Sequence, residues 1–140
     1  MAVAELVGWP DAELVLIDYF TAAPPGVHTC NTIPPVELFN ERLPIIDVTR
    51  TGGDHTTGTW ADGYLVDEPS MDLDIWAASL ESGQTTAAHA RAALVAMLGY
   101  RAHGAAAGRV RNISGPRRRP DVSQNITRLG RTTTIPLRLV

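Results

Sequence analysis

Residues 71–77, "MDLDIWA", alternate at a period of two, with Met71, Leu73 and Ile75 on one side and Asp72, Asp74 and Trp76 on the other. That period predicts a strand with one face in a core. "PIIDVTRTGG" at 44–53 predicts a second strand, rich in β-branched residues and closed by Gly52 and Gly53. Between the two lie about 17 residues, "GGDHTTGTWADGYLVDE", too many for a tight turn. They predict a long β-hairpin arm over 53–68, anchored by Trp60, Tyr64, Leu65 and Val66 and ordered when a partner holds it.

The helical period appears twice. In "WPDAELVLIDYFTAA", Ala12, Val15, Leu16, Tyr19, Phe20 and Ala23 form one apolar stripe. Pro10 suits the first helical position, Asp11 and Glu13 complement the helix N-terminus, and "PPG" at 24–26 ends the run. From Ser82 to Tyr100, Ala87, Ala90, Leu94, Met97 and Leu98 form a second buried stripe, and Gly99 or "HGAAAG" releases the chain. "VHTCNTI" predicts a short strand, "PPVELFNERLP" a turn with one helical turn, and "RVRNIS" at 109–114 a further strand. "ITRLGRTTTIPLRLV" predicts a long closing strand with Leu129, Ile135, Leu137 and Leu139 on one face and Pro136 at an edge or bulge. Strands grouped before and after a helix predict an α+β fold: two helices on one face of a mainly antiparallel or mixed sheet, with a long β-hairpin arm. The 140 residues form a single domain, 1–140, without internal repeats.

Composition changes this picture in one respect. An apolar content of 44% with 19% charge is ordinary for a globular fold. Asp18 interrupts the apolar run "LVLI" at 14–17, so no membrane span is expected. Arg42 is the first basic residue, so a secretory signal is not expected either, and an intracellular protein is. All 12 basic residues are arginine, a bias that reflects a GC-rich genome more than chemistry. Charge, however, is segregated: residues 1–90 carry 14 acids and 2 arginines, whereas residues 91–140 carry 10 arginines and Asp121 alone as an acid. Such halves either pair across the fold or create one acidic and one basic surface.

Candidate chemistry is sparse. His28, His55, His89 and His103 are scattered without metal-ligand spacing, and Cys30 is single, so no metal, cofactor or disulfide is expected. Cys30 reads as a structural thiol. "TGGDHTTG" lacks the lysine of a phosphate loop. No catalytic residue is assigned, and no enzymatic activity is expected. Asp72 and Asp74 point to ion pairs with arginines of a neighbouring strand or subunit, serving an electrostatic interface.

In "SGPRRRPDVSQN", Arg117, Arg118 and Arg119 stand between Pro116 and Pro120. A stiffened cationic loop of this kind can neither bury itself nor join a sheet, and so projects. Its uses are a nucleic-acid contact, a protein docking edge or a solvated turn. The absence of interleaved aromatic residues speaks against sequence-specific nucleic-acid binding. A docking edge toward an acidic surface is the expectation carried forward.

Several segments together resemble the tail terminator, or tail completion, proteins of long-tailed, siphovirus-like actinobacteriophages. They are "WPDAELVLIDYF", "PIIDVTRTGG", "MDLDIWA" with the helix "TTAAHARAALVAML", and "VRNISGPRRRPD" with the terminal strand. The likeness covers nearly the whole chain in order, although an aromatic residue expected at the arginine run is missing. It implies a homo-oligomer, a hexameric ring that caps the head-proximal end of the tail tube and stops its polymerisation. It also implies partners in the tail tube protein and the head-closure or connector protein, with genomic DNA passing only through the lumen. The protein would lie in the neck of the virion and assemble in the host cytoplasm, with no enzymatic activity and no cofactor. Trp60, Tyr64, Asp72, Asp74 and Arg117–Arg119 are then the candidate interface residues. A head-closure or adaptor protein of the same neck is the alternative, as is a DNA-binding accessory protein acting through Arg117–Arg119.

Overall fold

The computed structural model describes residues 10–57, 65–119 and 126–139. Helix α1 (Ala12–Ala22) is started by Asp11, whose Oδ1 accepts from the amides of Glu13 and Leu14 at 2.9 and 3.4 Å. Pro10 therefore precedes the cap instead of opening the helix, because the short acidic side chain satisfies the free amides directly. Ala12, Val15, Leu16 and Phe20 form the buried stripe, as the period predicts. Strand β1 (His28–Cys30) follows, then α2 (Val36–Arg42), which is longer than one turn and buries none of its residues.

Strands β2 (Ile45–Thr57) and β3 (Leu65–Ala77) pair antiparallel from Ile45↔Trp76 out to Thr57↔Leu65. This is the expected long hairpin in its described part. The interval 58–64, with Trp60 and Tyr64, lies outside the described residues. A register shift between Arg50 and Gly52 puts a bulge at the root of the arm. Gly53 answers a second constraint there: its φ is +107°, and a Cβ would lie 2.1 Å from the Glu68 carbonyl oxygen.

Helix α3 (Leu80–Val95) is capped by Ser79, whose Oγ accepts from the Ser82 amide. It buries Gly83, Thr86, Ala87, Ala90 and Leu94. Small residues on this face let the helix approach the sheet closely. The helix ends before Leu98, which is 60% exposed instead of continuing the stripe. "HGAAAG", expected to be a mere release segment, is a hairpin of β4 (Arg101–Ala102) and β5 (Ala105–Ala107). His103 and Gly104 both take positive φ, 51° and 76°, as a two-residue hairpin turn demands.

"RVRNIS" does not form a regular strand. Only Arg111 bridges to Thr134, and Asn112, with φ 55°, turns the chain out of extension. The arginine segment supplies the larger correction. Arg117–Arg118 form β6, paired with Gly130 and Leu129 of β7 (Thr127–Thr134). Pro116 and Pro120 flank the segment without removing the amides within it, so an edge strand is open to it. Pro136 separates β7 from β8 (Leu137–Leu139), and both strands pair with β3.

The path through the mixed sheet is β1-β2-β3-β8-β5-β4, with β7 beside β3 and β6 beside β7. Among the described residues only the β1–β2 pairing is parallel. Helices α1 and α3 cover one face, where Ile46, Val48, Met71, Leu73, Ile75, Leu129, Ile135 and Leu137 complete the core. Burying each such side chain contributes about 1.5–3 kcal/mol. The Tyr19 hydroxyl donates to the Ala93 carbonyl, tying the two helices together. The short α2 is set against the opposite, outer face, through Phe39 packed edge-on to Trp76.

Candidate assembly interface

The outer face of the sheet holds the charged residues that the sequence singled out. Because β3 alternates, Asp72, Asp74 and Trp76 stand opposite the core face, and register places Thr132, Gly130 and Arg128 of β7 beside them. Arg119 reaches across β7 to both carboxylates. Its Nη1 and Nη2 donate to Asp72 Oδ2 and Oδ1 at 2.7 Å each, and Nη1 also donates to Asp74 Oδ1 at 2.5 Å. The second oxygen of Asp74 accepts from Arg128 at 2.6 Å. Arg128 in turn lies over the Trp76 ring, 4.9 Å from its centroid. Hydrogen bonding to Asp72 holds Arg119 charged, raising its pKa above the ordinary guanidinium value.

Gly130 makes this reach possible. A Cβ at that position would lie 1.8 Å from Arg119 Nε and 2.0 Å from Cζ. A glycine amid β-branched residues signals such a close approach.

Asp47 stands directly opposite Asp74 on β2. Its Oδ1 is buried and accepts no hydrogen bond. Burial, then the charges of Asp74 and Glu13, push its pKa up to about 6. The outer face therefore holds a proton more readily than isolated carboxylates would.

The root of the arm has its own clamp on the helical face. Arg50 donates to both oxygens of the fully buried Asp67, each at 2.8 Å, and Arg50 Nε donates to the Gly52 carbonyl. Glu13 accepts from the Arg50 amide, joining α1 to the same point. Further out, Arg111 pairs with Glu68. The segregated charges thus meet across the fold, since Arg111, Arg119 and Arg128 of the basic part pair with Glu68, Asp72 and Asp74 of the acidic part.

Of the candidate interface residues, Asp72, Asp74 and Arg119 come together in one network, while Arg117 and Arg118 remain exposed on edge strand β6. The expectation that all three arginines project is corrected for Arg119. Sequence reasoning did not name Arg128, Gly130 or the Arg50–Asp67 pair. Among the described residues no three His, Cys, Asp or Glu side chains cluster as a metal site. The Cys30 thiol is pushed up by burial and by Asp47, away from nucleophilic thiolate character. His103 is engaged with Asp18 at 2.5 Å. Among the described residues no helix is long and apolar enough to cross a membrane.

No family model and no curated protein matches this chain. Among solved structures it is similar to a chain of the virion of a native gene transfer agent particle. The TM-score is 0.63 at 10% sequence identity, over 91% of this chain and 94% of that one. At that identity the likeness is one of fold.

Proposed function

We propose that this protein is a structural component of a phage-like virion, a tail terminator whose copies form a ring on the head-proximal end of the tail tube. The observation that carries this reading is the fold shared, over nearly the full length of both chains, with a chain of a virion particle. The ordering of segments that resembles tail terminators supports it independently. The same ring would halt tube polymerisation and present its other side to the head connector, with DNA passing through the lumen.

The long β2–β3 hairpin suits reaching a neighbouring ring, with Trp60 and Tyr64 of its sequence as anchors. Arg117 and Arg118, exposed on an edge strand, suit docking to acidic groups, each guanidinium gripping a carboxylate with two hydrogen bonds. Asp72, Asp74 and Arg119 then serve the interface indirectly, by holding β6 in place. A DNA-binding role through the arginine run is weakened, since Arg119 is already committed to two carboxylates.

Electron microscopy of the purified protein, alone and with tail tubes, tests the proposal. Rings that cap one tube end and arrest growth are expected. Arg117→Glu with Arg118→Glu should leave the fold intact and abolish capping or head joining. A protein that stays single-subunit with tubes present, or rings that bind only the head connector, would overturn the terminator reading.

A further inference from the structure

Arg131 stands on the helical face of β7, opposite Leu73. It is only 2% exposed, and its Nε and Nη1 have no hydrogen-bond partner among the described residues. A guanidinium does not lose its proton in a protein, so a buried one needs an anion. Its surroundings supply a second cation instead: desolvation disfavours its charge, and the nearby Arg91 guanidinium disfavours it further. Arg91 is exposed on α3, Val95 one turn further on is 63% exposed, and Leu98, just past the helix end, is 60% exposed. The result is an exposed cation beside a buried, unsatisfied one, with two exposed apolar side chains following Arg91 along the chain.

Helix α2 carries the complementary set. Glu37 and Glu41 are exposed and one turn apart. Leu38 is exposed on the same side of the helix, one turn from Glu41. Since α2 and α3 lie on opposite faces of the sheet, the two sets of one chain cannot meet each other. They can meet between copies, and a contact of two different patches repeats from copy to copy until it closes.

We infer that α2 of one copy docks on α3 and β7 of the next, with a carboxylate of the Glu37–Glu41 edge compensating Arg91 and Arg131. Leu38 packs against Val95 and Leu98. This inference rests on the ring reading and names the face through which the ring closes.

Sedimentation of the wild type, Arg131→Met and Arg91→Glu, with urea unfolding of each, tests it. Arg131→Met removes a buried charge while keeping its bulk, so the subunit should resist urea better yet associate about 30-fold more weakly. Arg91→Glu, at an exposed position that leaves the core untouched, should weaken association. Adding Glu37→Arg and Glu41→Arg should restore it. Wild-type association of Arg131→Met, or a combination no better than Arg91→Glu alone, would overturn the interface while leaving the ring standing. A wild type that never associates would overturn both. Loss of urea resistance in Arg131→Met would place the anion within the same chain and also overturn the inference.

Discussion

Replacing Gly130 by alanine adds one methyl group and should cost the protein its central ion network. Gly130 is not among the glycines with positive φ, so alanine can adopt its backbone. In isolation the change would help, because glycine in a strand is destabilising by roughly 0.5–1 kcal/mol relative to alanine. The methyl group, however, would fall 1.8 Å from Arg119 Nε and 2.5 Å from Cδ. The arginine must leave, and with it go two hydrogen bonds to Asp72 and one to Asp74. The three side chains are 22%, 23% and 11% exposed, so water screens the network only in part. Hydrogen bonds to charged groups contribute about 1.5–3 kcal/mol and exposed ion pairs about 0–1. A loss near 2–3 kcal/mol, offset by the strand gain, leaves a net destabilisation of about 1–2 kcal/mol. Urea unfolding followed by tryptophan fluorescence should read it, with Trp76 packed in the same site. The decisive comparison is the same substitution in an Arg119→Ala background, where Gly130→Ala should be neutral or stabilising. Equal destabilisation in both backgrounds would refute the argument that Gly130 exists to let Arg119 pass.

Asp47 should show the opposite pH dependence from an ordinary paired carboxylate. Its folded-state pKa of about 6 lies above the ordinary aspartate value of 3.8, so its protonated form is the stabilising one. That contribution is full below the unfolded value and is lost as pH rises through about 6; Asp47→Asn should flatten this part of the urea midpoint against pH and raise the midpoint at pH 7. Arg50→Met should cost about 2–3 kcal/mol in urea unfolding, because it removes two charge-assisted hydrogen bonds from the buried Asp67 carboxylate, whereas Arg111→Met at the more exposed Glu68 pair should cost under about 1 kcal/mol. Gly53→Ala should open the hairpin beyond the bulge, since its Cβ meets the Glu68 carbonyl; hydrogen exchange should quicken at 54–57 and 65–68 while α3 keeps its protection.

The sequence displayed the core because burial imposes periods. Met71, Leu73 and Ile75, and the stripe from Ala12 to Phe20, sit where alternation and helical spacing put them. It concealed elements whose form comes from a distant partner. Ala105–Ala107 has no strand character of its own; β8 supplies the pairing, and His103 with Gly104 supplies the turn. Arg117 and Arg118 look solvated when read locally, yet β7 offers a free edge and Asp72 with Asp74 draw in Arg119. The carboxylates' need for arginines was legible; which arginines would answer was not, because their separations of 45 to 54 residues leave no local trace. One missed signal was available. Strict alternation from Leu129 puts Arg131 among the core positions, where a cation is out of place.

The placement of these ion partners also bears on the order in which the chain emerges from a ribosome. Strand β3 can zip with β2 as soon as both are made, but β7 and Arg119 follow only after α3 and the β4–β5 hairpin. During that interval β3 has a bare edge, a template on which another nascent chain could add a strand. Asp72 and Asp74 are then unneutralised, so two such edges repel one another. The arginines that end the exposure also cancel the repulsion, making the carboxylates a guard while synthesis runs and a latch once it is complete.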